Sequence, residues 1–264
     1  MERLLVLRVE SIGVVAEAVL NGVPLARTSA TQRVLTLPIH EYTLSGGNEI
    51  ELVIEPPPPG AVVAPEPRIS DGKCGASLQL LLPRIGQVAH PDNARMLARI
   101  DWAPPEGDVT ELPFTLRQSV DLPIAFPRWR WLDAPAVTEP QEFLGAAANF
   151  LQGLVLGLQR GDPEPLLLAS RLRLEELAQA YQRNLADDVG RFRLQVQQLH
   201  ARQPLKPDMP KADNLKLRPL AGGRLLECLG ADGGPALGSP VAGGNHLHWP
   251  VRLALVEGRF YVLR

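Results

Sequence analysis

The sequence predicts a mixed α+β protein of two domains: an N-terminal antiparallel β-sandwich, then a C-terminal α+β domain of helices followed by sheet. Three observations carry that expectation. Residues 1–121 alternate apolar and polar side chains at the period of a strand. Residues 141–202 repeat apolar side chains at the period of a helix. Beyond residue 214 the chain returns to short apolar runs between glycine turns. The length of 264 residues also exceeds the usual single domain of about 100–200 residues, so each half can bury its own core. The expected boundaries are 1–121 for the first domain, 122–138 for a linker and 139–264 for the second domain.

In the first domain Leu5, Leu7 and Val9 mark one strand, and Val14, Ala16 and Ala18 the next. Asn21-Gly22 follows as a tight turn, because both residues tolerate positive φ. Val34, Leu35 and Leu37 precede a second turn at Ser45-Gly46-Gly47-Asn48. Ile50, Leu52 and Ile54 then alternate with Glu49, Glu51 and Glu55, giving a half-buried strand with one apolar and one acidic face. Pro56-Pro57-Pro58-Pro59 ends it, since proline offers no ladder donor. Further strands are expected at 77–82, 96–102 and 114–120. About seven short strands at near-regular spacing are the pattern of a sandwich.

Residues 122–138 are rich in proline and hold Trp129 and Trp131, two of the four tryptophans. Rings of that size are expected to pack on the domains, or else to form an Arg/Trp hot spot with Arg128 and Arg130. A helix is then expected from the capping box Thr138-Glu139-Pro140-Gln141, with Phe143, Ala147, Leu151, Leu154 and Leu158 inward and Gly161 at its end. Asp162-Pro163 starts the next, which continues to Asn184 with a break near Ser170 and Leu172, Leu174, Leu177 and Tyr181 inward. A further helix spans 187–202, with Phe192, Val196 and Leu199 inward. The tail is expected as strands at 215–220 and 224–229 about Ala221-Gly222-Gly223, a glycine-rich loop at 230–245, a strand at 246–256 and a last strand at 259–264.

Two stretches carry resemblances. Asn21-Gly22, followed by Gly46-Gly47-Asn48-Glu49-Ile50-Glu51-Leu52-Val53-Ile54-Glu55-Pro56, resembles the hairpins of jelly-roll and galactose-binding-like sandwiches. Residues 150–167, a long apolar helix broken at Gly161-Asp162, resemble the opening helices of the NTF2-like cone fold, and Val256–Leu263 its closing strand pair. Little strand stands between the early helices, which departs from that family. NTF2-like domains include isomerases, cyclases and dehydratases, so that resemblance makes Tyr181, Asp187, Asp188, His246 and His248 candidates for a pocket.

The net charge is −2 but is unevenly divided: residues 1–121 hold 10 basic and 15 acidic side chains, the remainder 17 and 14. Nucleic acid is not an expected partner, because no strongly basic face or binding motif is present. The N-terminal apolar run is too short for a signal peptide and no run of about 18 apolar residues occurs, so neither membrane nor secretion is expected and the location is read as cytoplasmic. Cys74 and Cys228 are read as two reduced, buried thiols, with a pair between them left open.

Chemistry has few footholds. No GxxxxGK[ST], GxGxxG or G-x-S-x-G pattern occurs, and no glycine-rich segment opens a helix. His246 and His248 share one strand face and could clip a metal, but no third ligand stands at characteristic spacing. No catalytic residue, metal or cofactor is therefore expected. The expected function is protein binding, with a basic partner for the acidic first domain. In type, this profile is similar to bacterial immunity proteins that neutralise antibacterial toxins, type VI secretion effectors and nucleases among them. The contact is expected at Asp101, Trp102, Glu106, Asp108 and Glu111, with Arg128 and Arg130. Rivals are a small-molecule enzyme or binder using an NTF2-like pocket, and a carbohydrate-binding accessory protein using Trp102. The oligomeric state is left open.

Overall fold

The computed structural model describes residues 4–57, 75–84, 86–104, 111–122, 125–241, 244 and 246–264. The fold is mixed α+β, with antiparallel sheets and four α-helices, and divides into two compact units, Met1–Pro127 and Arg128–Arg264.

The first unit contains β1 (Val6–Ile12), β2 (Val15–Leu20), β3 (Val23–Arg27), β4 (Val34–Pro38), β5 (Gly46–Glu55), β6 (Gly75–Pro83), β7 (Ala94–Trp102) and β8 (Phe114–Leu122). They form two four-stranded sheets, ordered β4-β1-β6-β7 and β3-β2-β5-β8. Alternation decides what is buried: Leu7 and Val9 of β1, Ile50, Leu52 and Ile54 of β5, and Leu78 and Leu80 of β6 are essentially inaccessible. Strands expected at 77–82, 96–102 and 114–120 each run slightly longer than their apolar cores.

Consecutive β1 and β2 lie in different sheets, and hydroxyls hold the crossing. Ser11 Oγ donates to the Val14 carbonyl (3.0 Å) and shares a hydrogen bond with Thr28 Oγ1 (2.6 Å), which also accepts from the Ala16 N–H (2.8 Å). The turn at Asn21-Gly22 has φ of 52° and 74°, the left-handed pair that the dipeptide predicts. Its Asn21 amide donates to Asn48 Oδ1 (2.9 Å) and accepts from the Glu49 N–H (3.0 Å), so the two turns read from the sequence interlock. The second of them is shorter than expected, because β5 already begins at Gly46.

The second unit contains α1 (Leu144–Gln159), α2 (Glu164–Ala169), α3 (Arg171–Ala180), α4 (Leu185–Arg202), β9 (Lys216–Leu220), β10 (Leu225–Leu229), β11 (Leu237–Pro240), β12 (His246–Trp249), β13 (Arg252–Val256) and β14 (Arg259–Val262). One sheet is ordered β14-β13-β10-β9, and β11 and β12 form a separate hairpin. The core joins Ala147, Leu151, Leu154 and Leu158 of α1 and Val196 of α4 to Leu226, Leu253 and Val262 of the sheet.

Several local expectations are corrected. The capping box at Thr138 does not cap α1: a 3-10 turn at Pro140–Phe143 comes first, and neither start carries a side-chain cap. Asp162 accepts the Glu164 N–H (3.0 Å) but stands one residue before the N-cap of α2, which is Pro163, and Ser170 is the junction of α2 and α3. In α3, Leu174 and Leu177 are only half-buried while Glu176 is buried, because cationic and backbone donors meet it there. The strand expected at 246–256 is interrupted at Pro250, and the glycine-rich loop holds β11. At the turn Ala221-Gly222-Gly223, Gly223 has φ of 84° and accepts from the Val137 N–H (2.9 Å). A Cβ there would lie 2.6 Å from the Val137 carbonyl oxygen.

The segment read as a linker contributes to ordered structure at both ends: Leu122 closes β8, and Arg130–Asp133 form a 3-10 turn with Trp129 and Trp131 buried. Cys228 is buried and its thiol is pushed well above its ordinary range by desolvation, then by the neighbouring Glu227; Cys74 lies outside the described residues.

Candidate functional site

The most organised charged surface of the first unit is one face of the β3-β2-β5-β8 sheet. The alternation that buries Ile50, Leu52 and Ile54 turns Glu49, Glu51 and Glu55 the other way. Register brings in the neighbours: Glu17 lies opposite Val53 and Arg27, Arg117 opposite Glu51, and Ser119 opposite Glu49. Arg27 donates through both terminal nitrogens to Glu55, with Nη1 2.7 Å from Oε1, and Arg117 Nε donates to Glu51 (2.8 Å). The Arg27 guanidinium holds the Glu55 carboxyl below the usual carboxylate range, chiefly through that hydrogen bond. Asp121 of β8 has the same parity, so among the described residues the face carries five carboxylates against two guanidinium groups. The acidic alternation of β5 is legible in the sequence. Its union with Glu17 is not, because β2 and β5 meet through non-local pairing.

The residues expected at the contact are distributed over both units. Asp101, at the end of β7, is about half exposed and pairs with Arg99 Nε (2.6 Å). Trp102 is half-buried, edge-on to Phe114 with ring centroids 5.5 Å apart. Glu111 is exposed, and Glu106 and Asp108 lie outside the described residues. Arg128 is exposed and donates to Asp133 (2.8 Å), holding that carboxyl below its usual range.

Arg130 is tied into its own unit. Its Nη2 donates to Glu175 (2.7 Å), its Nη1 to the Leu172 carbonyl (3.1 Å) and its backbone N–H to Glu176 (2.6 Å). Glu176 also accepts from Arg264 (2.6 Å), whose guanidinium lies 5.8 Å from the centre of the Trp129 ring. Arg130 and Trp129 therefore belong to one network, buried at Glu176 and Arg264 and open at Glu175, that sequence spacing did not suggest.

A second feature is a cleft of about 300 Å³ in the second unit, between the turn after β10 and the β11-β12 hairpin. His246 and His248 project into it from alternate positions of β12, their rings stacked with centroids 5.7 Å apart. Gly238 faces His248 across the hairpin, and a Cβ there would lie 3.0 Å from Nδ1, so the missing side chain makes room for the imidazole. Asp208 and Asp232 line the same cleft, and neither stood out in the sequence, being in loops without motif. Asp232 is partly engaged, accepting the Gly234 N–H (3.0 Å).

Other polar residues named from the sequence lie elsewhere. Tyr181 is buried beneath Arg183 at the end of α3, Asp187 is exposed, and Asp188 is held by Arg183 and Arg191. Among the described residues, no group of three or more His, Cys, Asp or Glu side chains is gathered for a metal ion. Nor, among them, is any helix long and apolar enough to cross a membrane. No known protein-family model, curated protein sequence or solved structure matches this chain.

Proposed function

We propose that this chain is a non-enzymatic binding protein whose partner is a basic protein. The observation that supports the reading is the sheet face of Glu17, Glu49, Glu51, Glu55 and Asp121, which keeps an acidic excess on rigid strands even with Arg27 and Arg117 paired to Glu55 and Glu51. Such a surface steers an oppositely charged partner and speeds capture. An inhibitor of a toxin is the role this suits best: an immunity protein that neutralises an antibacterial effector of the type VI class, a nuclease being a natural basic target. In this reading Asp101, Trp102 and Glu111 add acidic and aromatic side chains to the surface of the first unit. The two four-stranded sheets are read as a β-sandwich, and the helices leading into an antiparallel sheet as an NTF2-like arrangement.

Affinity purification from the native host with two baits tests this, the unaltered chain and a Glu17→Lys/Glu49→Lys variant. The expected result is a stoichiometric basic protein held by the first bait, released by salt and lost from the second. Recovery of the bait alone overturns the reading. A partner indifferent to the substitutions removes the acidic face as its site.

One observation favours a second reading. The cleft of about 300 Å³ gathers His246, His248, Asp208 and Asp232 on its lining, which supports the alternative of a ligand-binding or isomerase-type second unit. A ligand screen followed by the imidazole NMR signals would show both histidines responding to a common compound if that reading holds.

A further inference from the structure

The four outer strands of the first unit are not equally protected. An edge strand exposes unpaired N–H and C=O groups, and short length, proline, bulges and charge blunt it. β3 has five residues, contains Pro24, and slips register against β2 between Ala18 and Val19. β4 has five residues and ends on Pro38. β7 has nine, but its ladder with β6 slips between Leu80 and Leu81, and it carries exposed Arg95, Arg99 and Asp101.

β8 also carries charge, Arg117 and Asp121, but differs from all three in its ladder. It runs nine residues in unbroken register with β5, from Phe114 opposite Ile54 to Leu122 opposite Gly46, and holds no proline. Among the described residues it pairs with β5 alone. Arg117, Gln118 and Ser119 are exposed in succession, so its middle is open on both faces.

We propose that β8 is a self-association edge, pairing antiparallel with β8 of a second copy about a two-fold axis at Ser119. The charge pattern selects both the occupant and the register. Centred on Ser119, Arg117 faces Asp121 of the second copy, and the symmetry makes that pair twice. Leu116 then faces Leu122, and Gln118 faces Val120. Centring on Gln118 instead sets Arg117 against Ser119, and centring on Val120 sets Ser119 against Asp121; neither opposes the charges. Centring between residues sets the half-buried Leu116 and Val120 beside polar side chains of the solvent face. Arg117 can serve both neighbours, since Glu51 takes its Nε and a guanidinium carries five donors. Cross-strand opposite charges stabilise such pairs, and like charges destabilise them. The result is one continuous eight-stranded sheet whose acidic faces lie on the same side. This inference does not rest on the proposed partner, and a monomeric chain would leave that proposal as it stands.

Sedimentation velocity on the full chain gives the first test: a species of twice the chain mass should grow with concentration. Asp121→Arg sets arginine against arginine twice, and Arg117→Asp sets aspartate against aspartate. Each should weaken self-association about tenfold or more. Mixed in equal amounts, the two variants should associate with each other, because the mixed pair restores both opposite-charge contacts. Circular dichroism like that of the unaltered chain checks that each variant is folded. In a Cys74→Ser background, Ser119→Cys should give an oxidised covalent dimer and Thr115→Cys should not. A monomer at every concentration overturns the proposal. So does a dimer indifferent to both charge variants, or a failure of the two variants to associate when mixed.

Discussion

In the first unit the polar groups under the surface are neutral and serve the backbone. Asn48 accepts from the Leu44 N–H (2.8 Å) and donates to the carbonyls of Leu44 (3.0 Å) and Gly46 (2.8 Å), and His40 Nε2 accepts the Leu5 N–H (2.8 Å). In the second unit Ser170 and Ser239 are neutral, but Glu176, Asp188, Glu227 and Arg264 are charged and engage opposite charges. Glu176 meets Arg264, Glu227 lies between Arg218 (2.8 Å) and Arg252 (3.1 Å), and Asp188 between Arg183 and Arg191. The difference follows from the elements. A strand with one buried face turns every second side chain outward, so the glutamates of β5 never need burial. Helices laid on a sheet enclose side chains from segments far apart, as with Glu176 and Arg264, 88 residues apart in the chain.

The largest expected effect comes from breaking the buried pair. Arg264→Met leaves the Glu176 carboxylate buried with only the Arg130 N–H, and should destabilise the second unit by about 3–5 kcal/mol. Adding Glu176→Leu should recover most of that loss, because a buried ion pair contributes little beyond an apolar replacement of similar volume. Denaturation followed by tryptophan fluorescence reports on this unit, since Trp129 lies against the Arg264 guanidinium. A single substitution without loss would mean the pair is solvated and the contrast between the units is false.

The matching test in the first unit is Asn48→Ala. It strips a buried side chain of four hydrogen bonds, including the one to Asn21, and leaves the Leu44 N–H without its acceptor. A loss of about 2–3 kcal/mol in that unit is expected, smaller than for the ion pair because no charge is stranded. Hydrogen exchange resolves which unit loosens. Protection lost across β2 and β5 alone would sharpen the contrast, and loss spread over both units would break it.

The same contrast sets what could be read from the sequence. The alternating part of β5, Glu49 to Glu55, was legible residue by residue, because alternation is a local signal, whereas its first residues from Gly46 read as turn. The acidic face was half legible: three of its glutamates follow one another at period two, but Glu17 and Asp121 join them through pairing that no local pattern encodes. In the second unit the helices were legible and their polar roles were not. Glu176 sits among leucines spaced for burial, and no local pattern marks it, because its partner Arg264 lies 88 residues away in the chain. Trp129 and Trp131 stood in a proline-rich stretch that reads as linker, although both rings are buried. The histidine cleft was legible only as two imidazoles on one strand. The aspartates opposite come from loops whose course depends on β11, a four-residue strand hidden among glycines.

The smallest expected effect separates exposed pairing from buried pairing. Arg27 holds the folded-state pKa of Glu55 below its ordinary value, chiefly through the hydrogen bond and further through its charge, against the opposing effect of partial burial. A depressed carboxylate contributes stability that is fully present above the ordinary glutamate value, about 4.3, and is lost as pH falls through the folded value. In NMR titration the Glu55 carboxyl should therefore titrate below its ordinary range, and Arg27→Gln should return it there. The stability difference between that variant and the unaltered chain should be present at neutral pH and vanish in acid. It should also shrink with added salt, since the Arg27 side chain is 48% exposed and such pairs are screened. The Glu164–Arg193 pair of the second unit has the same sign and should behave alike, whereas Glu176–Arg264 should resist salt. Equal salt sensitivity in the two second-unit pairs would mean that burial does not decide how a pair responds to salt.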